Sequence, residues 1–124
     1  EETITMSIHR ILVADDEESI RWVLSKALTK QGFLVDLAES GSEAQNMLKQ
    51  NPYDLAILDI KMPGMTGIEC MQAIKRILPS KTRFVMMTGF RDKETLDRAR
   101  KVGAEQILLK PFKMTDFLEC AANL

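Results

Sequence analysis

Hydrophobic residues along the chain follow two alternating patterns. Five short runs rich in Val, Ile and Leu are bounded by Gly, Pro or acidic residues, and each is too short for a helix. Between them, apolar residues recur at the three- and four-residue spacing of one helix face. The runs cover residues 11–14, 34–38, 55–58, 83–87 and 106–109. The pattern predicts five βα units and a parallel sheet that is buried on both faces.

The five helices can be placed from their apolar faces and capping residues. The first is predicted to stop at Gly32, after apolar residues at helical spacing, namely Ile20, Val23, Leu24, Ala27 and Leu28. Capping-box sequences begin at Ser40 and Thr66, each with a Glu three residues later, and mark the next two helix starts. The fourth helix, about residues 92–102, has the sparsest apolar face, so we expect it to be the most exposed. The fifth is predicted to run from near Met114 to the end of the chain.

Composition restricts the class of protein. The chain has 124 residues, 45% of them hydrophobic, which is enough for one domain with a core. Its 17 basic and 18 acidic side chains give a net charge of −1, so direct binding to nucleic acid or to an anionic membrane is not expected. No apolar run approaches the roughly 20 residues of a membrane span, and no signal-peptide pattern is present. We expect a cytoplasmic domain.

The sequence indicates a single domain over residues 6–124. Because the chain does not begin with Met and Met6 resembles a native start, we expect residues 1–5 to be a remnant of cloning. The two cysteines lie far apart without metal-ligand spacing, and His9 is the only histidine in the sequence. This composition excludes a zinc site and a His-based catalytic triad.

Polar residues follow four of the five predicted strands. Asp15 and Asp16 follow the first, Asp59 the third, Thr88 the fourth and Lys110 the fifth. In an open parallel sheet the ligand site lies beyond the carboxyl ends of the strands, so these side chains should converge. Carboxylate oxygens bind Mg²⁺, whereas a lysine and a hydroxyl bind phosphoryl oxygens. The sequence therefore predicts a metal-assisted site of phosphoryl transfer.

Each of these residues also has a purely structural explanation when it is taken alone. Asp15 and Asp16 could cap the first helix, Asp59 could begin a turn, and Lys110 could be a surface lysine. Caps and turns do not, however, require two carboxylate positions, a hydroxyl and a lysine at the ends of four different strands. The combination favours the functional interpretation.

The arrangement resembles the receiver domain of two-component response regulators. The similarity covers residues 8–124 and includes the Asp pair after the first strand, D-x-x-M-P-G-x-x-G at 59–67, Thr-Gly at 88–89 and Lys-Pro-Phe at 110–112. Residues 19–24, Ser-Ile-Arg-Trp-Val-Leu, are also similar to the receivers of NtrC-type activators of σ54-dependent transcription. The resemblance implies a flavodoxin-like, doubly wound α/β fold with strand order 2-1-3-4-5 and five helices.

The resemblance implies that Asp59 accepts a phosphoryl group from the phosphohistidine of a sensor histidine kinase. A carboxylate is a competent nucleophile for this step. Asp16 and Asp59 would bind Mg²⁺ directly, the backbone carbonyl of Lys61 would be the third protein ligand, and Asp15 would act mostly through water. Such a partly hydrated site with few carboxylates is typical of Mg²⁺.

The resemblance also assigns the residues around the phosphoryl group. Lys110 would pair with one oxygen, Thr88 would donate a hydrogen bond to another, and Gly89 would leave space for their approach. The peptide bond before Pro111 is expected to be cis. Ile107 stands where most receivers have Tyr or Phe, and because a β-branched side chain is stiff, we expect it to stay buried in both states of the switch.

The favoured function is a phosphorylation-driven switch that is not a turnover enzyme and only phosphorylates and dephosphorylates itself. The implied partners are the kinase, a second copy bound through the face of the fourth helix, fifth strand and fifth helix, and a transcription-activator output domain. A stand-alone receiver that acts by protein–protein interaction is an alternative. An aspartyl-phosphate phosphatase is disfavoured because Lys61 stands where such enzymes commonly have an acid. A flavodoxin-like redox protein is disfavoured because the acidic residues 15–18 would repel the FMN phosphate.

Overall fold

The computed structural model describes residues 9–78 and 81–122. Strands and helices alternate throughout these residues. The strands are β1 (Arg10–Ala14), β2 (Leu34–Ala38), β3 (Leu55–Asp59), β4 (Arg83–Thr88) and β5 (Gln106–Leu109). The helices are α1 (Glu18–Lys30), α2 (Gly41–Gln50), α3 (Gly67–Ile77), α4 (Lys93–Val102) and α5 (Met114–Glu119). The predicted α/β class is confirmed, whereas the expectation for residues 1–5 lies outside the described residues.

The five strands form one parallel sheet in the order β2-β1-β3-β4-β5. All five residues of the central strand β3 are buried, because helices cover both faces of the sheet. In the sheet register, Asp59 lies beside Met87, and Thr88 lies beside Leu109. The predicted strand order 2-1-3-4-5 is confirmed, and it brings the ends of β1, β3, β4 and β5 to one edge.

Side chains from alternate strand positions enter two separate cores, one on each face of the sheet. The first core lies under α2, α3 and α4, and its strand residues include Leu12, Ala56, Leu58, Phe84 and Met86. The second lies under α1 and α5, and its strand residues include Ile11, Val13, Ile57, Val85 and Met87. Helix α4 therefore packs on the face opposite α1 and α5.

The helix starts follow the capping residues. Thr66 and Glu69 form a complete capping box at α3, with both hydrogen bonds present. At α2, the side chain of Ser40 accepts a hydrogen bond from the backbone of Glu43, so one half of the predicted box forms. Of the ten residues of α4, Ala99 alone is buried. Of the five helices, α4 has the smallest share of buried residues, which agrees with the sparse apolar face predicted for it.

Helix α5 is shorter than expected. It ends at Glu119, and residues 120–122 continue as turns in which each backbone N–H donates to the carbonyl three residues earlier. This tightening satisfies carbonyls that a helix end leaves without partners. Phe117 and Ala121 are buried as predicted, whereas Leu118 is partly exposed. Within the described residues, no helix is both long enough and apolar enough to span a membrane.

Candidate functional site

A cavity of about 340 Å³ lies at the carboxyl end of the sheet. Its walls are formed by residues that follow β1, β3, β4 and β5, which are the strands whose ends the topology brings together. The lining residues are Asp16, Glu17, Asp59, Lys61, Gly89, Phe90 and Lys110. Four of them, Asp16, Asp59, Lys61 and Lys110, are candidate site residues from the sequence.

The ammonium group of Lys110 joins two carboxylates at this cavity. Its Nζ donates to Oδ2 of Asp15 at 2.8 Å and to Oδ2 of Asp59 at 2.7 Å. Asp15 is completely buried, and Asp59 is 5% exposed. Strand β3 is one residue longer than the sequence predicts and ends with Asp59. The sheet therefore holds the backbone of Asp59. The expected cis peptide bond between Lys110 and Pro111 is present.

Burial and charge shift the protonation equilibria of this group. Burial raises the pKa of Asp59 to about 6, although the hydrogen bond and charge of Lys110 oppose the shift. The nearby Asp15 carboxylate adds to the increase. Burial alone would lower the pKa of Lys110, but its bonds to both carboxylates outweigh burial and raise that pKa. Lys110 therefore stays charged, and Asp59 binds a proton more readily than an exposed carboxylate.

Asp15 and Asp16 occupy different environments although they are neighbours. The backbone carbonyl of Asp15 accepts a hydrogen bond from Arg21 Nη1 at 2.8 Å. The side-chain oxygen Oδ1 of Asp15 accepts a second one from the backbone N–H of Glu17 at 2.9 Å. Asp16 is exposed and lines the cavity. Carboxylate oxygens of Asp15, Asp16 and Glu17 lie within 4.8 Å of one another. Sequence reasoning missed the positioning contact of Arg21 and the place of Glu17 in this cluster.

Thr88 is completely buried at the end of β4. Its Oγ1 accepts a hydrogen bond from the backbone N–H of Phe90 at 2.9 Å, which leaves the hydroxyl proton available to a ligand. The ring of Phe90 lies under the ammonium group of Lys61, with Nζ 6.0 Å from the ring centroid. Sequence reasoning missed Phe90, although its position two residues after Thr88 places it at the rim of the site.

Gly67 allows α3 to approach the backbone of the candidate nucleophile. A Cβ atom at Gly67 would lie 2.4 Å from the carbonyl oxygen of Asp59, which is closer than real contacts allow. The N–H of Gly67 donates to the carbonyl of Ile60 at 3.0 Å and closes the loop between β3 and α3. An added Cβ at Gly89, in contrast, would meet no atom within 4 Å. The space expected at Gly89 is present.

Ile107 is partly buried and packs against the first core.

A larger groove of about 540 Å³ lies between α1 and the segment after β5, with an apolar lining that includes Ile20, Val23, Phe112 and Met114. It contains no carboxylate, and Lys110 is the residue that it shares with the smaller cavity. The smaller cavity is therefore the candidate site.

Comparisons with known proteins agree with this geometry. The family model of the response regulator receiver domain matches residues 11–122. The transcriptional regulatory protein PdtaR of Mycobacterium tuberculosis is 38% identical over 112 residues, which cover 88% of this chain and 53% of PdtaR. The chemotaxis protein CheY of Bacillus subtilis is 35% identical over 112 residues, which cover 90% of this chain and 92% of CheY. The chain thus spans about half the length of PdtaR and nearly all of CheY.

Solved structures share the fold. A receiver domain protein from Methanospirillum hungatei superposes with a TM-score of 0.89 and 28% identity, covering 94% of this chain and 93% of that one. The response regulator TrrA of Thermotoga maritima, in complex with Mg²⁺ and BeF, gives a TM-score of 0.82 and 32% identity, covering 94% and 98% of the two chains. From its fold, its site and these matches, the chain belongs to the family of response regulator receiver domains.

Proposed function

We propose that this receiver domain is switched by transfer of a phosphoryl group from a sensor histidine kinase to Asp59. The observation that carries the proposal is the Lys110 ammonium group, which contacts Asp59 at 2.7 Å beside a cavity lined by Asp16. A buried nucleophile, a fixed cation and an open cavity with a further carboxylate are the components that phosphoryl transfer needs.

In the proposed reaction, a carboxylate oxygen of Asp59 forms a bond to phosphorus while the bond between phosphorus and the imidazole nitrogen of the donor breaks. The electron pair of that bond leaves with the imidazole. Lys110 pairs with one phosphoryl oxygen, and the Thr88 hydroxyl donates a hydrogen bond to another. The backbones of both residues are fixed by the strands that they end or follow, so only their side chains need to reorganise as charge develops.

The donor set fits a magnesium ion. Asp16 and Asp59 line the cavity, and oxygen ligands of this kind are those that Mg²⁺ prefers. Asp16, Asp59 and the backbone carbonyl of Lys61 would hold the ion, with Asp15 acting through water because its side chain is buried against Lys110. The bound ion would offset the repulsion between the Asp59 carboxylate and the phosphoryl dianion.

The proposed partners follow from this role. The kinase supplies the phosphoryl group in the cytoplasm, and a second copy binds through the face of α4, β5 and α5. PdtaR, described as a transcriptional regulatory protein, matches over half its length, and this supports an attached output domain that controls transcription. CheY matches over 92% of its length, and this supports the alternative of a stand-alone receiver that acts on a protein partner. In both cases the domain is not a turnover enzyme.

Labelling with acetyl phosphate tests the proposed function. With Mg²⁺ present, we expect the intact mass to increase by one phosphoryl group, and peptide mapping should place it on Asp59. The Asp59→Asn variant should gain no mass, whereas the control Asp116→Asn, which changes an exposed carboxylate on α5, should behave as the wild type. Labelling of Asp59→Asn at the wild-type rate would refute the assignment.

A further inference from the structure

Phe90 is an exposed aromatic residue between the candidate site and α4. Its side chain is 43% exposed, and it lines the site cavity. It also lines a second cavity of about 240 Å³, which we call the α3–α4 cleft and whose other lining residues include Ile60, Ile68, Glu94 and Thr95. Phe90 is therefore common to the cavity that contains Asp59 and to the cleft beside α4.

Two contacts hold Phe90 at the rim of the site. Its backbone N–H donates to Thr88 Oγ1, and its ring lies under the ammonium group of Lys61 within the range of a cation–π contact. Thr88 ends the strand beside the site, and Lys61 lines the site cavity. The groups that hold Phe90 are thus a hydroxyl and a cation that a phosphoryl group on Asp59 would attract.

We propose that Phe90 carries the signal from a phosphorylated Asp59 to α4 by turning into the α3–α4 cleft. The inference rests on the proposed function. A phosphoryl group brings nearly two negative charges and strong acceptor oxygens. It draws the Lys61 ammonium away from the ring, which removes the contact that holds the ring at the rim. It also attracts the Thr88 hydroxyl, and the hydrogen bond from the Phe90 backbone to this hydroxyl passes the movement on to the loop.

The Phe90 ring, once released, can be buried in the α3–α4 cleft. Ile60 and Ile68 form an apolar floor and are 4% and 3% exposed. The volume of the cleft, about 240 Å³, leaves room for a phenyl ring beside these two side chains. Burial of the ring removes apolar surface from water, which is favourable. The polar part of the cleft lining comes from Thr66, Glu94, Thr95 and Arg98.

A ring in the cleft would act directly on α4. Glu94 and Thr95 belong to the first turn of α4, and Thr95 is bound to the capping carboxylate of Asp92. Because Ala99 is the buried anchor of this helix, a wedge under its first turn can shift it without disrupting the core. Ile107 offers no comparable ring, since it is an aliphatic side chain packed against the first core.

Fluorine NMR of protein labelled with 4-fluorophenylalanine tests the movement of the ring. The chain has five phenylalanines, and the Phe90→Leu variant identifies the signal of Phe90. We expect this signal to lose most of its solvent isotope shift when Mg²⁺ and beryllofluoride are added, because the ring becomes buried. In Lys61→Met without beryllofluoride, the isotope shift should already be reduced, since one of the two contacts is absent.

Amide hydrogen exchange over residues 93–102 tests the effect on α4. At equal loading, Phe90→Ala should show less than half the wild-type change in α4 exchange. The control Trp22→Ala removes an exposed aromatic side chain from α1, on the opposite face of the sheet, and should keep the full change. Loading is checked first by the mass gain with acetyl phosphate.

The outcomes separate this inference from the proposed function. If the wild type gains no phosphoryl mass at Asp59, the proposed function fails and this inference fails with it. If the protein is phosphorylated but the Phe90 ring stays exposed, or α4 responds fully in Phe90→Ala, the inference alone is overturned.

Discussion

At the scale of single residues, the central feature is one ammonium group shared by two buried carboxylates. Lys110 neutralises one negative charge, whereas Asp15 and Asp59 supply two when both are ionised. Buried charge without full compensation is costly, which is why burial raises the pKa of Asp59 to about 6. The carboxylates that we propose for binding Mg²⁺ and the phosphoryl group therefore reduce the stability of the fold.

This cost gives a stability that depends on pH. Because the pKa of Asp59 is higher in the folded chain than its ordinary value of 3.8, the folded state binds more protons between about pH 4 and 6. The free energy of unfolding should therefore fall as pH rises through this range, by up to about 3 kcal/mol. Without metal at pH 8, Asp59→Asn should unfold at a higher temperature than the wild type, because Asn cannot ionise.

Thermal unfolding in EDTA from pH 4 to 8 measures this effect. The difference between the wild type and Asp59→Asn should become small near pH 4, where Asp59 is protonated. Asp97→Asn, which changes an exposed carboxylate on α4, should show no such trend. A stabilisation by Asp59→Asn that is the same at every pH would contradict the explanation.

Removal of the Thr88 hydroxyl should affect the response of α4 more than the phosphorylation of Asp59. We expect Thr88→Ala to accept a phosphoryl group at Asp59 while the exchange response of α4 weakens, because the link to the backbone of Phe90 is lost. Thr88→Ser retains the hydroxyl and should keep most of the response. Ile107→Val should leave both properties nearly intact. Mass spectrometry and amide exchange on the same samples test the prediction, and a full α4 response in Thr88→Ala would contradict it.

At the scale of elements, the sequence was sufficient where one local signal determines the structure. Continuous apolar runs gave the strands of the sheet, and the hydroxyl and carboxylate at Thr66 and Glu69 gave the start of α3. The site could be located because Asp15, Asp59, Thr88 and Lys110 each lie at the end of a strand or directly after it, so the topology brings them together.

The remaining features depend on contacts between distant parts of the chain. The end of α5 depends on turn-type hydrogen bonds that no residue in its sequence signals. Arg21 contacts the backbone carbonyl of Asp15 from α1, and Phe90 lines two cavities from the loop between β4 and α4. Periodicity describes which face of an element is buried, but it does not describe these contacts.

The junction of β3 and α3 should tolerate no side chain at Gly67. Gly67→Ala forces a methyl group against the carbonyl oxygen of Asp59, and backbone must move to relieve this contact. Overpacking of this kind costs about 1–3 kcal/mol, and it displaces Asp59, so phosphorylation should also slow. Chemical denaturation measures the first effect, and acetyl phosphate labelling measures the second.

Gly89→Ala is the matched control, since its added methyl group would meet no atom within 4 Å. It should change the free energy of unfolding by well under 1 kcal/mol, in the range of ordinary surface substitutions. Equal destabilisation by the two substitutions would show that the close approach at Gly67 is not the cause.

At the scale of the whole molecule, Mg²⁺ should stabilise the fold. A ligand that binds the folded state raises the free energy of unfolding by about 1.4 kcal/mol at tenfold its dissociation constant. Asp16→Asn should weaken this effect more than Asp15→Asn, because Asp16 lines the cavity and Asp15 is buried against Lys110. Melting temperatures over a Mg²⁺ titration provide the test, with Ca²⁺ as a comparison ion. A melting temperature unaffected by millimolar Mg²⁺ would contradict the proposed metal site.

Phosphorylation should also change assembly. If α4 moves, the face of α4, β5 and α5 changes shape, and we expect beryllofluoride to shift the protein toward dimers. Sedimentation velocity at several concentrations with and without beryllofluoride measures this change. Substitution of Arg100, which is exposed on α4, by Glu should reduce dimer formation without reducing phosphorylation. An unchanged assembly state in the loaded protein would rule out this face as the readout.

The scarcity of buried residues in α4 has a consequence for the evolution of such domains. Nine of the ten α4 positions are not buried, and Val102 is the one of these nine that packs against the first core, so substitutions at the exposed positions should leave folding unaffected. With α4 as the proposed partner surface, we expect descendants of one ancestral chain to acquire new partners by altering α4, while the residues around Asp59 stay the same. A saturation mutagenesis library selected for folding alone should accept most amino acids along α4 and reject most at Ala99. On this proposal, partner choice and phosphoryl chemistry can diverge independently within one small domain.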